Sequence, residues 1–154
     1  RDPSYISPIL SAIQSDLCES GIDGVLSTHI QRDALEKFSY VSPIGAAGVY
    51  LHAVAGDFQK EGAARELFKS MIREISALAA AMGYPFEKDY VKINLEILSN
   101  LSADATTSMQ RDIMEGKPSE LDGLVMEPLR LAKKYSVSMP CYEEVANVLC
   151  PLEF

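Results

Sequence analysis

A chain of 154 residues is the size of one ordinary domain and long enough to bury a real core. With 47% hydrophobic and 23% charged residues it is globular rather than disordered. Its 22 acids against 14 bases leave a net charge of −8, which argues against a nucleic-acid-binding surface that tracks phosphates.

In chain order, Ser4 to Glu19 places Ile6, Ile9, Leu10, Ile13 and Leu17 at helical spacing and is closed by Ser20-Gly21. Ile22 to Leu26 (IDGVL) is a short strand candidate, with a misread surface turn as the equal alternative. Thr28 caps a helix through about Val41, which Pro43 ends or kinks. Ile44 to Ala55 is small and apolar on most sides, which suits a helix buried in a bundle. Lys60 to Met82 has Leu67, Met71, Ile75, Leu78 and Met82 recurring at three and four, and Gly83 and Pro85 stop it. Further helices are expected over Tyr90 to Leu101, Thr106 to Glu115, Glu120 to Tyr135 and Tyr142 to Leu149. The pattern describes an all-α domain preceded by one helix-strand unit.

Cys18, Cys141 and Cys150 lack C-x-x-C metal spacing and read as reduced packing cysteines of an intracellular, cytoplasmic protein. His29 and His52 stand alone, so no metal site is expected. No run of about 18 apolar residues is present, so no membrane span is expected. The opening Arg1-Asp2-Pro3, with neither Met nor an apolar leader, reads as the start of a piece excised from something longer.

Local physics alone gives the polar residues ordinary roles. Ser119 sits where an N-cap belongs, with Asp122 in a loose capping-box position and Glu120 in the favoured first turn. Ser108 and Asp112, one turn apart, form a polar stripe, and Lys37 has Asp33 four residues before it as a surface partner.

Taken in order, Lys37-Phe38, the small-residue helix, the long amphipathic helix ending Ala-Ala-Ala-Met-Gly-Tyr and the run Thr-Ser-Met-Gln-Arg-Asp-Ile…Gly-Lys-Pro-Ser-Glu-Leu-Asp-Gly carry a resemblance. From about residue 4 to 150, the chain resembles the C-terminal domain of the ketopantoate reductase (2-dehydropantoate 2-reductase) family. Its most specific part is Ser108-Met109-x-x-Asp112, with Glu120 twelve residues after the serine, and the tail Ala132 to Pro140 fits the family's final loop. The resemblance implies an all-α, multi-helix domain of the 6-phosphogluconate dehydrogenase C-terminal-like type. Residues 1–27 are then the last helix-strand of an absent Rossmann nucleotide-binding domain, and 28–154 a helical substrate and dimerisation domain.

It further implies a reductase of a small 2-oxo acid, 2-dehydropantoate above all, that uses NADPH in pantothenate biosynthesis. Lys37 matches the general acid, Glu120 the glutamate that holds the substrate hydroxyl near that lysine, and Ser108 the donor to the substrate carboxylate; Asp112 matches an acid expected to be structural. Val41, Gly45 and Ala105 stand where the family often carries Asn, and Leu35 replaces a frequent aromatic, so a related 2-oxo acid is the alternative substrate.

No G-x-G-x-x-G follows a strand. The cofactor is therefore expected to be held mainly outside this chain, with at most contacts from Lys37 and Glu120, and the chain alone is expected to be inactive. A homodimer is expected, with open apolar surface near Ile22 to Leu26 and Lys37 to Val49. A non-catalytic binding or dimerisation module is the rival reading.

Overall fold

The computed structural model describes residues 6–150, and their regular structure is helical throughout. In chain order the helices are α1 (Pro8–Glu19), α2 (Ile30–Leu51), α3 (Ala55–Gln59), α4 (Ala63–Ala81), α5 (Tyr90–Ser99), α6 (Ser108–Met114), α7 (Glu127–Tyr135) and α8 (Pro140–Leu149). A π-helical turn, Asp122–Met126, leads directly into α7.

The strand expected at Ile22 to Leu26 does not form among the described residues. A strand needs a ladder partner, and this segment is tied back onto α1 instead. The Ile22 N–H donates to the Leu17 carbonyl at 2.9 Å, and the Gln14 amide donates to the Gly24 carbonyl at 2.7 Å. Helix α1 has the expected amphipathic spacing yet buries none of its residues. Ile9 is 71% exposed, and Val25 just beyond the helix is 80% exposed. No other described helix packs on α1. The second stretch expected to be open, Lys37 to Val49, is mostly closed, with Ser42 to Gly48 all buried.

The core is built on α2 packed against α4. The spacing read from α4 is realised: Met71, Ile75 and Leu78 are buried, joined by Phe68, Ile72 and Ala79. Burying side chains of the larger kind stabilises by about 1.5–3 kcal/mol each. Gly83, at φ 90°, ends the helix in the left-handed turn that glycine accepts most readily. From the same helix, Glu74 accepts the N–H groups of Cys141 at 2.8 Å and Tyr142 at 3.1 Å. That carboxylate caps α8, whose own N-cap position, Met139, offers no side-chain acceptor.

Pro43 neither ends nor divides its helix; α2 runs through it for 22 residues. A proline inside a helix removes the N–H that the carbonyl four residues back would accept, at a cost of about 3 kcal/mol. The carbonyl stranded here belongs to Ser39, and the buried Asn94 of α5 donates to it at 3.0 Å. A matching arrangement surrounds Pro128. Its missing N–H deprives the Leu124 carbonyl of an α-helical donor, and the chain widens there into the π turn. Ser42 Oγ donates to the Leu124 carbonyl at 2.6 Å and lies 2.5 Å from Tyr142 Oη. A serine has one hydroxyl proton, so Tyr142 donates to Ser42 while Ser42 donates to the carbonyl.

The capping box expected at Ser119 is not made. The Leu124 N–H donates to the Glu120 carbonyl, and Asp122 is drawn to Arg130, whose guanidinium holds it through bonds of 2.8 and 2.9 Å.

Ser42→Ala should strand the Leu124 carbonyl and the Tyr142 hydroxyl in the core, at about 1–3 kcal/mol for each group. In a Pro128→Ala background the helix regains a donor for Leu124, so the same substitution should cost measurably less. Urea unfolding of the four proteins measures this coupling, and strictly additive costs would refute the assignment.

Candidate substrate site

Lys37, Val41, Gly45 and Gly48 recur at four, four and three residues along α2 and so share one stripe. Other elements close on that stripe where its side chains vanish. A Cβ on Gly45 would lie 3.1 Å from Met109 Cε and 3.9 Å from both Leu124 Cδ1 and Thr107 Oγ1. One on Gly48 would meet the Gln110 amide at 2.7–2.8 Å. The start of α6, which carries Ser108, and the π turn, one turn past Glu120, therefore both meet α2 on the stripe that begins at Lys37.

Lys37, Ser108 and Glu120 are all exposed, and no side-chain hydrogen bond or ion pair links any of them to a described residue. Asp33, the partner that spacing offers Lys37, takes the Ser27 hydroxyl instead. Glu36, its sequence neighbour, lies 4.0 Å from Arg32. It also faces Tyr90, whose phenol is pushed up to about 12 by burial first and by its hydrogen bond to Glu36 second. Asp112 is half-buried and makes no side-chain hydrogen bond among the described residues. The described residues hold no group of three or more His, Cys, Asp or Glu side chains able to bind a metal ion. Burial, and then Glu74, push the Cys141 thiol up to about 11, which keeps it from acting as a thiolate.

The sequence carries a further device in Thr107-Ser-Met-Gln110, which has the capping-box spacing. The Thr107 N–H donates to Gln110 Oε1 at 2.9 Å, and the Gln110 N–H donates to Thr107 Oγ1 at 3.2 Å. Gln110 Nε2 then reaches the Ala53 carbonyl at 2.7 Å, tying α6 to the chain just past the end of α2. Next to this box lies a cavity of about 190 Å³ bordered by Tyr40, Ile44, Phe58, Ala105, Thr107 and Gln110, among others. Its lining includes none of Lys37, Ser108 and Glu120, but it takes in the residue before Ser108 and the tyrosine three residues after Lys37. The Tyr40 hydroxyl is shielded from solvent without a hydrogen-bond partner among the described residues, and burial raises its pKa.

Fold and geometry together define an all-α domain in which two elements close on one lysine-led helical stripe. Residues 29–153 match the family model described as ketopantoate reductase PanE/ApbA C terminal, and the chain belongs to that family. It is 24% identical to a 2-dehydropantoate 2-reductase of Nostoc sp. over 135 residues, covering 88% of this chain and 42% of that protein. Its fold is similar to that of a 2-dehydropantoate 2-reductase from Methylococcus capsulatus, with a TM-score of 0.85 and 24% identity, covering 99% of this chain and 48% of that one. It is likewise similar to a dimeric ketopantoate reductase from Staphylococcus aureus, with a TM-score of 0.82 and 19% identity over 94% of this chain and 51% of that one. The chain thus spans less than half the length of the curated relatives it matches.

The two glycines should respond differently to alanine. Met109 Cε is the end of a flexible side chain, so Gly45→Ala should stay within about 1 kcal/mol of the parent, helped by the better helix propensity of alanine. Gly48→Ala must displace an amide fixed by the capping box and Ala53, and should cost about 1–3 kcal/mol. Equal urea midpoints for the two variants would show that Gln110 is not held as described.

Proposed function

We propose that this chain is the substrate-binding C-terminal half of an NADPH-dependent 2-oxo acid reductase, which in the first reading converts 2-dehydropantoate to pantoate for pantothenate synthesis. The observation that carries the proposal is the family match across 29–153, which takes in Lys37, Ser108 and Glu120. All three side chains are open to solvent and committed to no other described residue. NADPH, held mainly by a Rossmann domain outside this chain, supplies the hydride when bound.

As hydride reaches the carbonyl carbon, negative charge develops on its oxygen. The Lys37 ammonium stabilises that charge and delivers the proton, as general acid. The Ser108 hydroxyl donates to the substrate carboxylate, and Glu120 accepts from the substrate hydroxyl near Lys37. Both groups position the carbonyl for attack.

A second reading, a 2-oxo acid with a different side chain, is favoured by Val41, Gly45 and Ala105, none of which presents a polar side chain. In either reading the partners are the parent's own Rossmann domain and a second copy in a homodimer. No described helix is long and apolar enough to cross a membrane.

The full-length parent should oxidise NADPH with a 2-oxo acid, while the 154-residue chain alone should not. Lys37→Ala should lower kcat by about 10²–10⁴-fold, whereas Ser108→Ala should act chiefly on KM. Steady-state kinetics decide the matter, and unchanged turnover in Lys37→Ala would remove the lysine from the mechanism.

A further inference from the structure

The cavity beside the Thr107–Gln110 box has a volume of about 190 Å³. A cavity of roughly 150 Å³ with aliphatic and aromatic walls takes up benzene, so this one has room for a phenyl ring or a branched alkyl chain. Its inner wall is apolar and closed: Ile44, Ala53, Ala55 and Phe58 are each at most 7% exposed. Its rim includes Leu101, which is 41% exposed and gives access from the surface.

Most of the polar groups around this space are already engaged, the Tyr40 hydroxyl excepted. Gln110 donates to Ala53 and accepts from the Thr107 N–H, while Thr107 Oγ1 donates to Gln110 Oε1 at 3.2 Å. Thr106 Oγ1 accepts from Arg111 at 3.3 Å. The Ala105 carbonyl receives the Ala55 N–H at 3.0 Å. The Tyr40 hydroxyl has no partner among the described residues, but it is shielded from solvent and an entering group does not reach it as the side chain stands. A hydroxyl or charge entering here would leave water and gain few partners in return.

The cavity also adjoins the residues assigned to chemistry. Tyr40 follows Lys37 by about one helical turn, and Thr107 immediately precedes Ser108. A 2-oxo acid with its carbonyl at Lys37 and its carboxylate at Ser108 has one substituent left to place. We infer that this cavity receives that substituent and selects a branched or aromatic apolar side chain over the hydroxylated chain of 2-dehydropantoate. The inference rests on the 2-oxo acid reading above and replaces the identity of the acid, and with it the side-chain hydroxyl that Glu120 would otherwise accept from. Ala105 is its specificity-determining position, because a larger side chain there would fill the space.

The test compares kcat/KM of the full-length parent for pyruvate, 4-methyl-2-oxopentanoate, phenylglyoxylate and 2-dehydropantoate. One of the two bulky apolar acids should exceed 2-dehydropantoate by about tenfold or more. Ala105→Leu should lower the ratio of that acid to pyruvate by about tenfold, with Ala105→Val as the milder filling if the leucine variant does not fold. A preference for 2-dehydropantoate, or an unchanged ratio in the filled variants, overturns the inference and leaves the reductase reading intact. If no 2-oxo acid is reduced, the reductase reading itself fails and the cavity is judged on benzene alone. Benzene-induced shifts of the Ile44 methyl resonances that the filled variant abolishes then support an apolar receptor, and their absence overturns it.

Discussion

The Ser42 hydroxyl is the bond on which the arrangement of this domain turns. It donates to the Leu124 carbonyl, which Pro128 leaves without a helical donor, and it is itself held by Tyr142 of α8. Three parts of the chain thereby meet at one oxygen: the middle of α2, the π turn and the last helix. The turn fixed in this way presses Leu124 toward Gly45 and carries Glu120 one turn upstream. The position of Glu120 relative to α2 is thereby tied to that contact.

Pro43 poses the same problem and receives the same kind of answer. Asn94 repairs its stranded carbonyl, so α2 continues and Lys37 stays in register with Gly45 and Gly48. A break at Pro43 would have separated the lysine from the glycines that admit α6. The buried polar side chains follow one rule. Ser39 donates to Glu36, Ser42 to Leu124, Asn94 to Ser39 and Gln110 to Ala53, each to a backbone carbonyl. Polar groups in this core serve the backbone, which is how an interior with several helix defects stays satisfied.

What the sequence discloses divides along the range of the physics involved. The face of α4 and its stop at Gly83 are local, and the spacing of Met71, Ile75 and Leu78 is enough to read them. The family motif, with Ser108 and Glu120 twelve apart, is likewise a local pattern. Pro43 misleads because the Ser39 carbonyl that it strands is repaired from 55 residues away, and the π turn is invisible because Ser42 lies 82 residues from Leu124. IDGVL has the length and apolar residues of a short strand, but these carry no information about whether a partner strand exists. The Ser119 cap fails for a similar reason: Arg130, two turns along, competes for Asp122.

The three residues assigned to chemistry share one further property. Local rules give each an ordinary structural setting, and in each case the bonds made nearby are made by other residues. Asp33 is occupied by Ser27, so Lys37 is not held as half of a surface pair. Thr107 rather than Ser108 caps α6. Asp122, not Glu120, makes the ion pair that steadies the start of the last long helical segment. Surface pairs and first-turn charges contribute at most about 1 kcal/mol each, so leaving Lys37, Ser108 and Glu120 out of them costs the fold little. An exposed polar residue without a partner is unremarkable on its own. Three of them, left free of their immediate neighbours and carried by elements that close on one stripe of α2, are what the proposed substrate site asks of this surface.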